Sequence, residues 1–402
     1  MSATFVGFGF GPIQTGLLLF EAVQSGSFDR FVVAEVDQRL VDAVRAAGDE
    51  VVVNIAGKNG IRTGRIPKVE LCNPQVTWDR SVLVEAIVDA DEMGTAVPSI
   101  DLYSAGKDAS IAAMLAKGCR PGRRQIIYTA ENNNFAAEIL REQIGRAGAT
   151  YDLHDLQCLN TVVGKMSGVV SSPSEMKRLG LAPLVPGYDR CVLVEEFNRI
   201  LISKVTLPGF RRKIRVFEEK DDLLPFEEAK LYGHNAVHAL MGYLASRNGC
   251  RFMSEAADDQ ALMKLAREAF LEESGAALIA RYQGLDPLFT SAGYLAYADD
   301  LLERMTNPYL RDRIERVIRD TPRKLAWDDR LIGTMRLALD AGVTPRRFAF
   351  GAAAALETLA SPKGTADALN ELWPAPDQPP GRKSELIRLI TEAQTKLRSK
   401  ES

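Results

Sequence analysis

The chain is short of cysteine, histidine and unbalanced charge, and each shortage removes a class of function. Five cysteines (Cys72, Cys119, Cys158, Cys191 and Cys250) are scattered through 402 residues with no Cys-x-x-Cys pair. That pattern argues against a disulfide framework and for a reducing, cytoplasmic setting. Three histidines are present, His154, His234 and His238. The last two are four apart, the spacing of a helical zinc pair, but position 235 is Asn rather than Glu and no third ligand presents itself, so no metal is expected. A net charge of −3 offers no basic field to nucleic acid or to an anionic membrane. No uninterrupted apolar run is long enough to span a bilayer, and residues 1–30 lack the basic start of a signal peptide. Repeats and low-complexity arrays are also lacking.

What remains is an ordinary globular composition, 46% hydrophobic and 26% charged, in a chain long enough for two cores. The first half alternates apolar runs with helical stretches. Residues 4–6, 31–34, 51–55 and 125–129 read as buried strands, and residues 13–23, 81–90, 109–117 and 135–144 as helices. Strands separated by helices argue for a parallel sheet covered on both faces, with ligands at the carboxyl ends of its strands.

Four turns should share that rim. Gly7-Phe8-Gly9-Phe10-Gly11-Pro12 follows the first strand and precedes a helix, the geometry in which backbone N–H groups approach a pyrophosphate. Pro12 stands where a third glycine belongs, while Gly16 offers close packing further on. Glu35 ends the second strand and can accept from both adenosine ribose hydroxyls while repelling a 2′-phosphate, which favours NAD over NADP. Asp37 is an alternative ligand two residues on. Thr95-Ala96-Val97 forms a further turn, and Asn132, in Ala130-Glu131-Asn132-Asn133-Asn134, can aim an amide at a reacting oxygen. One of the asparagines at 133 and 134 should cap the following helix.

Residues 156–170 lean towards strand, 171–190 read as a loop or domain transition, and 191–202 and 214–217 as strands or a strand and a short helix. Beyond the acidic stretch 218–228 the pattern is helical to the end, through 256–274, 291–305, 309–318, 330–341 and 348–359. A linker with Pro374, Pro376, Pro379 and Pro380 precedes a last amphipathic helix. The expected architecture is a Rossmann-type α/β domain over residues 1–200 and a mainly α-helical substrate domain over 201–402.

At the start of the helical half stands Lys230-Leu231-Tyr232-Gly233-His234-Asn235-Ala236-Val237-His238. On an α-helix, at ~100° per residue, Lys230, His234, His238 and Asn235 fall near ~0°, ~40°, ~80° and ~140°, one broad polar face. An amine, an amide and an imidazole together can move a proton and bind a reacting oxygen.

Taken in order, these motifs resemble the polyol-specific long-chain dehydrogenase/reductase family, the mannitol dehydrogenases. Glu272-Glu273-Ser274-Gly275-Ala276, Asn307-Pro308-Tyr309-Leu310-Arg311-Asp312 and Pro322-Arg323-Lys324-Leu325 are similar to its phosphate-handling branch. The resemblance implies metal-independent, NAD-dependent interconversion of a sugar alcohol and a ketose, the substrate being a phosphorylated polyol such as mannitol 1-phosphate. It implies Lys230 as general acid/base, Asn132 and Asn235 as amides on the reacting oxygen, His238 as positioning group, and Arg316 and Lys324 as substrate-contacting cations. Gly7, Phe8, Gly9, Gly11, Glu35, Thr95, Ala96 and Asn132 would line the cofactor. One departure stands out: residues 163–170 read Val-Gly-Lys-Met-Ser-Gly-Val-Val, without the Asp and Arg that the family carries there. Other readings therefore stay open: a hexuronate, an aldonate or an unphosphorylated polyol as substrate, or a non-catalytic NAD(H) sensor. A monomer is expected.

Overall fold

The central strands are buried along almost their whole length because both of their faces are covered. All five residues of β1 (Thr4–Phe8) are buried. In this computed structural model, which describes residues 3–149, 153–359, 364–373 and 379–399, the further strands are β2 (Arg30–Ala34), β3 (Val51–Ala56), β4 (Ile61–Ile66), β5 (Val69–Cys72), β6 (Ala90–Thr95), β7 (Gln125–Thr129), β8 (Leu156–Val162), β9 (Ser167–Val170), β10 (Cys191–Glu195), β11 (Leu201–Ser203) and β12 (Glu218–Lys220). The main sheet runs β12-β11-β8-β7-β6-β1-β2-β5. From β5 to β8 every pairing is parallel, and only β11 runs against its neighbour β8. Alternation along β1 sends Phe5 into one core and Val6 and Phe8 into the other, one on each face of the sheet.

Three expectations are corrected here. The strand at 51–55 does not join the parallel sheet. It pairs antiparallel with β4 and parallel with β10 in a second sheet of order β4-β3-β10-β9. Buried Asn54 holds that sheet to the following segment, donating to Ala182 O (2.8 Å) and Val192 O (3.0 Å) and accepting from Ala182 N (2.9 Å). Residues 171–190 are not all loop: Pro173–Leu179 is helical, capped by Ser172 and closed by Gly180 at φ 63°. Residues 214–217 form neither strand nor helix. The strand comes next, in polar Glu218–Lys220, which has a partner on one side only and so needs no apolar face.

The chain divides into two compact units, Met1–Leu224 and Pro225–Ser402. Strands β11 and β12 build back onto β8, which keeps the stretch after residue 200 with the sheet. The second unit contains the helices Ala236–Arg247, Gln260–Glu268, Ser291–Met305, Ile332–Asp340, Arg346–Glu357 and Arg382–Ser399. Residues 309–313 are not helical, and the helix there is reduced to Ile314–Ile318. The last helix buries Leu386, Leu389, Ile390 and Ala393 and packs on Arg346–Glu357 within its own unit. Of the linker prolines, Pro374 and Pro376 lie outside the described residues. The chain is thus a parallel-dominated sheet followed by a helical region. Among the described residues no helix is long and apolar enough to cross a membrane, and all five cysteines are free thiols.

Candidate functional site

The parallel register puts the ends of β1, β2, β6 and β7 side by side, pairing Phe8 with Ala34 and with Thr95, and Thr95 with Thr129. The turns holding Gly9, Glu35, Ala96 and Asn132 therefore share one rim, tied by Gly9 N to Ala34 O (2.9 Å), Ala96 N to Phe8 O (3.0 Å) and Ala130 N to Thr95 O (2.9 Å). Gly9 has φ 85°, and a Cβ there would lie 2.7 Å from Ala96 O, so only glycine fits. At Gly7 a Cβ would collide with the Gln14 amide, and at Gly16 with Val194 of β10, at 2.4 Å. Gly11 faces open space. Residues 14–19 form a wide π-type turn at the start of the helix that follows.

The rim side chains divide by task. Phe8 is wholly buried and offers only backbone. Glu35 spends one oxygen on Asp37 N (2.8 Å), and the other has no hydrogen bond among the described residues. Asp37 is committed elsewhere, capping the helix Gln38–Ala46 at Arg39 N and accepting from Tyr188 Oη at 3.1 Å. Thr95 is buried and donates to Glu131 Oε2 (2.9 Å), while Glu131 Oε1 accepts from Val97 N (2.9 Å). Burial pushes the Glu131 carboxyl up, against the Tyr103, Val97 and Thr95 donors that favour its ionised form. Asn133 accepts from Phe135 N (2.8 Å), which leaves Asn132 exposed, with no protein partner for its amide among the described residues.

In the second unit, Ala229–Asn235 is a π-type turn, with Ala236–Arg247 continuing as α-helix. The ~100° helical wheel therefore does not apply to Lys230–Asn235. The wider winding, with its i→i+5 bonds, brings Asn235 round towards Lys230, one wide turn along. Partners far away in sequence support it: Thr334 Oγ1 donates to Tyr232 O (3.2 Å), and Tyr297 Oη to Ala229 O (3.4 Å). Gly233 lets Tyr294 and Phe270 approach, since a Cβ there would lie 2.8 Å from Tyr294 Oη.

Lys230 is half-buried, and its amine makes no hydrogen bond or ion pair among the described residues. Burial pushes its ammonium down to about 8. Glu227 pulls against that shift and Arg330 adds to it. Burial, with the nearby His238, Arg304, Lys230 and Arg330, also pushes buried His234 well below the ordinary imidazole range. His238, whose ring centroid is 6.2 Å from that of His234, places Nε2 3.0 Å from Asp312 Oδ2.

The two expected substrate cations are engaged within the protein. Arg316 gives Nε (2.8 Å) and a terminal nitrogen (2.6 Å) to Asp312 Oδ1. Lys324 is buried and donates to the Arg319 carbonyl. Burial, with Arg330 and Arg323 nearby, pushes its ammonium down to about 8. Among the described residues no group of three or more His, Cys, Asp or Glu side chains could hold a metal ion. Asp312 is the side chain that sequence reasoning did not assign. Its i, i+4 spacing to Arg316 was the available signal, hidden because 309–318 reads as plain helix.

Residues 222–375 match the mannitol dehydrogenase C-terminal domain. Over that stretch this chain is similar to the mannitol dehydrogenases. Two relatives, both named mannitol-1-phosphate 5-dehydrogenase, bear out the resemblance read from the sequence. That of Caldanaerobacter subterraneus subsp. tengcongensis is 28% identical over 355 residues, covering 87% of this chain and 84% of the relative. That of Thermoanaerobacter pseudethanolicus is 27% identical over 354 residues, with 87% and 84% covered. Two solved dehydrogenases share the fold. A substrate-free D-sorbitol dehydrogenase superposes with a TM-score of 0.78 at 15% identity, covering 100% of this chain and 94% of that one. A Pseudomonas fluorescens mannitol 2-dehydrogenase, in ternary complex with NAD and D-mannitol, superposes with a TM-score of 0.69 at 15% identity, with 99% and 92% covered.

Proposed function

We propose that this chain is an NAD-dependent, metal-independent dehydrogenase that interconverts a secondary alcohol of a polyol phosphate and the corresponding ketose. The observation that carries the reading is Lys230: an amine with no ion pair among the described residues, its ammonium pushed down to about 8, on the same short helical segment as Asn235 and His238. An amine so shifted has a neutral fraction near neutral pH and can take the hydroxyl proton, whereas an ordinary lysine, at ~10.4, is almost wholly charged.

The rim fits a dinucleotide. Gly9 keeps the turn tight and Gly11 leaves backbone open to a pyrophosphate, and the uncommitted oxygen of Glu35 suits a ribose diol better than a 2′-phosphate. NAD, when bound, supplies the two-electron acceptor. The protein's own part is acid–base and electrostatic: Lys230 holds or releases the proton, Asn132 and Asn235 donate to the oxygen as charge builds on it, and His238 orients the neighbouring hydroxyl. Losing one such donor costs ~10² to 10³ in rate.

Cationic groups favour an anionic substrate. Arg330 acts electrostatically on Lys230, and Arg316 keeps a side-chain exposure of 46% beyond its bond to Asp312. The names of the relatives supply the phosphate ester. A carboxylate would answer the same charges, so hexuronates and aldonates form the second reading. A panel of polyols, polyol phosphates and sugar acids, followed by NADH absorbance with and without a chelator, tests all of this. Mannitol 1-phosphate is expected to give the highest kcat/KM, unchanged by chelation. Best turnover of a neutral polyol rejects the anionic substrate, and loss of activity on chelation rejects metal independence.

A further inference from the structure

We infer that Asp312 is a positioning residue which fixes the protonated nitrogen of His238. This rests on the assignment of His238 to the substrate site but can be tested apart from it. Asp312 is buried, and its two oxygens have different tasks: Oδ1 takes both Arg316 nitrogens, and Oδ2 lies 3.0 Å from His238 Nε2. Burial opposes its charge, yet His238 and Arg316 hold its carboxyl below the usual range. It therefore stays a carboxylate against the imidazole. Neither Oδ2 nor Nε2 makes an aligned hydrogen bond among the described residues, and these two buried atoms meet in an ion-pair approach of 3.0 Å.

The backbone is shaped to deliver this carboxylate. Arg311, just before it, has φ 53°, a left-handed conformation that a side-chain-bearing residue adopts at a cost. The turn is strapped on both sides by Met253 N to Asp312 O (2.9 Å) and Ile314 N to Arg251 O (3.0 Å), and the Arg311 guanidinium stacks 3.7 Å over Phe252. Strain held at one residue by three contacts turns the next side chain inward. With a carboxylate at Nε2, the proton belongs on that nitrogen, and Nδ1 is the one left for a substrate hydroxyl. Arg316 then acts through Asp312 as well as by its own charge.

The first test reads the imidazole rather than turnover. Three histidines make the ring ¹⁵N signals of the full-length protein assignable. The unmodified protein is expected to show His238 protonated at Nε2, and in Asp312→Asn that preference should be lost. Lack of a proton on Nε2 in the unmodified protein overturns the inference even if the variant does not fold. The second test is kinetic: Asp312→Asn should lower kcat/KM for the polyol by ~10- to 100-fold, mostly through KM, with NADH affinity retained. Asp312→Glu, which keeps the carboxylate, should recover part of the loss. Equal kinetics for all three proteins, or loss of NADH binding in step with the polyol effect, overturns it. Should no polyol be turned over at all, the ring signals still decide the position of the proton.

Discussion

At the scale of single residues, neighbouring groups of the same type meet opposite fates. Glu35 keeps an oxygen uncommitted, whereas Asp37 is consumed by a helix cap and by Tyr188. Sequence left the two open as ribose ligands, because neither the cap nor Tyr188, 151 residues away, is visible in a local pattern. The consequence is specific. Glu35→Ser should weaken NAD binding by ~10- to 100-fold, the range for a hydrogen bond to a charged acceptor, and narrow the preference over NADP. KM values for both cofactors check it, and an unaltered NAD/NADP ratio assigns the selection elsewhere. Lys324, expected to contact substrate, donates to the Arg319 carbonyl, a partner five residues back.

At the scale of elements, the segment that sequence singled out as an α-helical face is a wide turn, and that changes which side chains meet. Its winding is held by Thr334, Tyr297, Tyr294 and Phe270, all from later helices or turns, so local spacing could not reveal it. A second wide turn, Ala269–Gly275, packs against it, and a Cβ on Gly275 would lie 2.7 Å from Phe270 O. Gly233→Ala would push a methyl against Tyr294 and Phe270. Overpacking of this kind costs ~1–3 kcal/mol. A lowered urea midpoint together with a fall in kcat is expected, and a variant equal to the parent in both would show that the close approach is not needed. The short edge strands escaped sequence reading for a different reason: β12 is polar and β4 carries Arg62, Thr63 and Arg65, so neither gives an apolar run.

At the scale of the whole molecule, the order of elements was the most legible feature. Buried parallel strands announce themselves as apolar runs, and the change to helices alone is a change of period. What the pattern could not tell was membership: β3 reads like any buried strand yet belongs to the second sheet, and β11 and β12 extend the first past residue 200. The site was legible as a set of residue types and spacings, Lys230 with Asn235 and His238, while part of its electrostatics came from groups far along the chain, Arg330 and Asp312. The family resemblance rests on the order of those motifs and is matched by relatives along 87% of the chain.

The central claim is that a lysine lowered by burial exchanges the substrate proton, and the pH dependence of kcat/KM tests it most directly. Oxidation of the alcohol needs neutral Lys230, so its kcat/KM should rise through an ionisation at about 8, and ketose reduction, which needs the ammonium, should fall through the same one. In Lys230→Ala that ionisation should vanish, with turnover reduced ~10² to 10⁴-fold and NADH binding kept. Near-parental turnover in the variant, or an unmoved ionisation at about 8, would contradict the account.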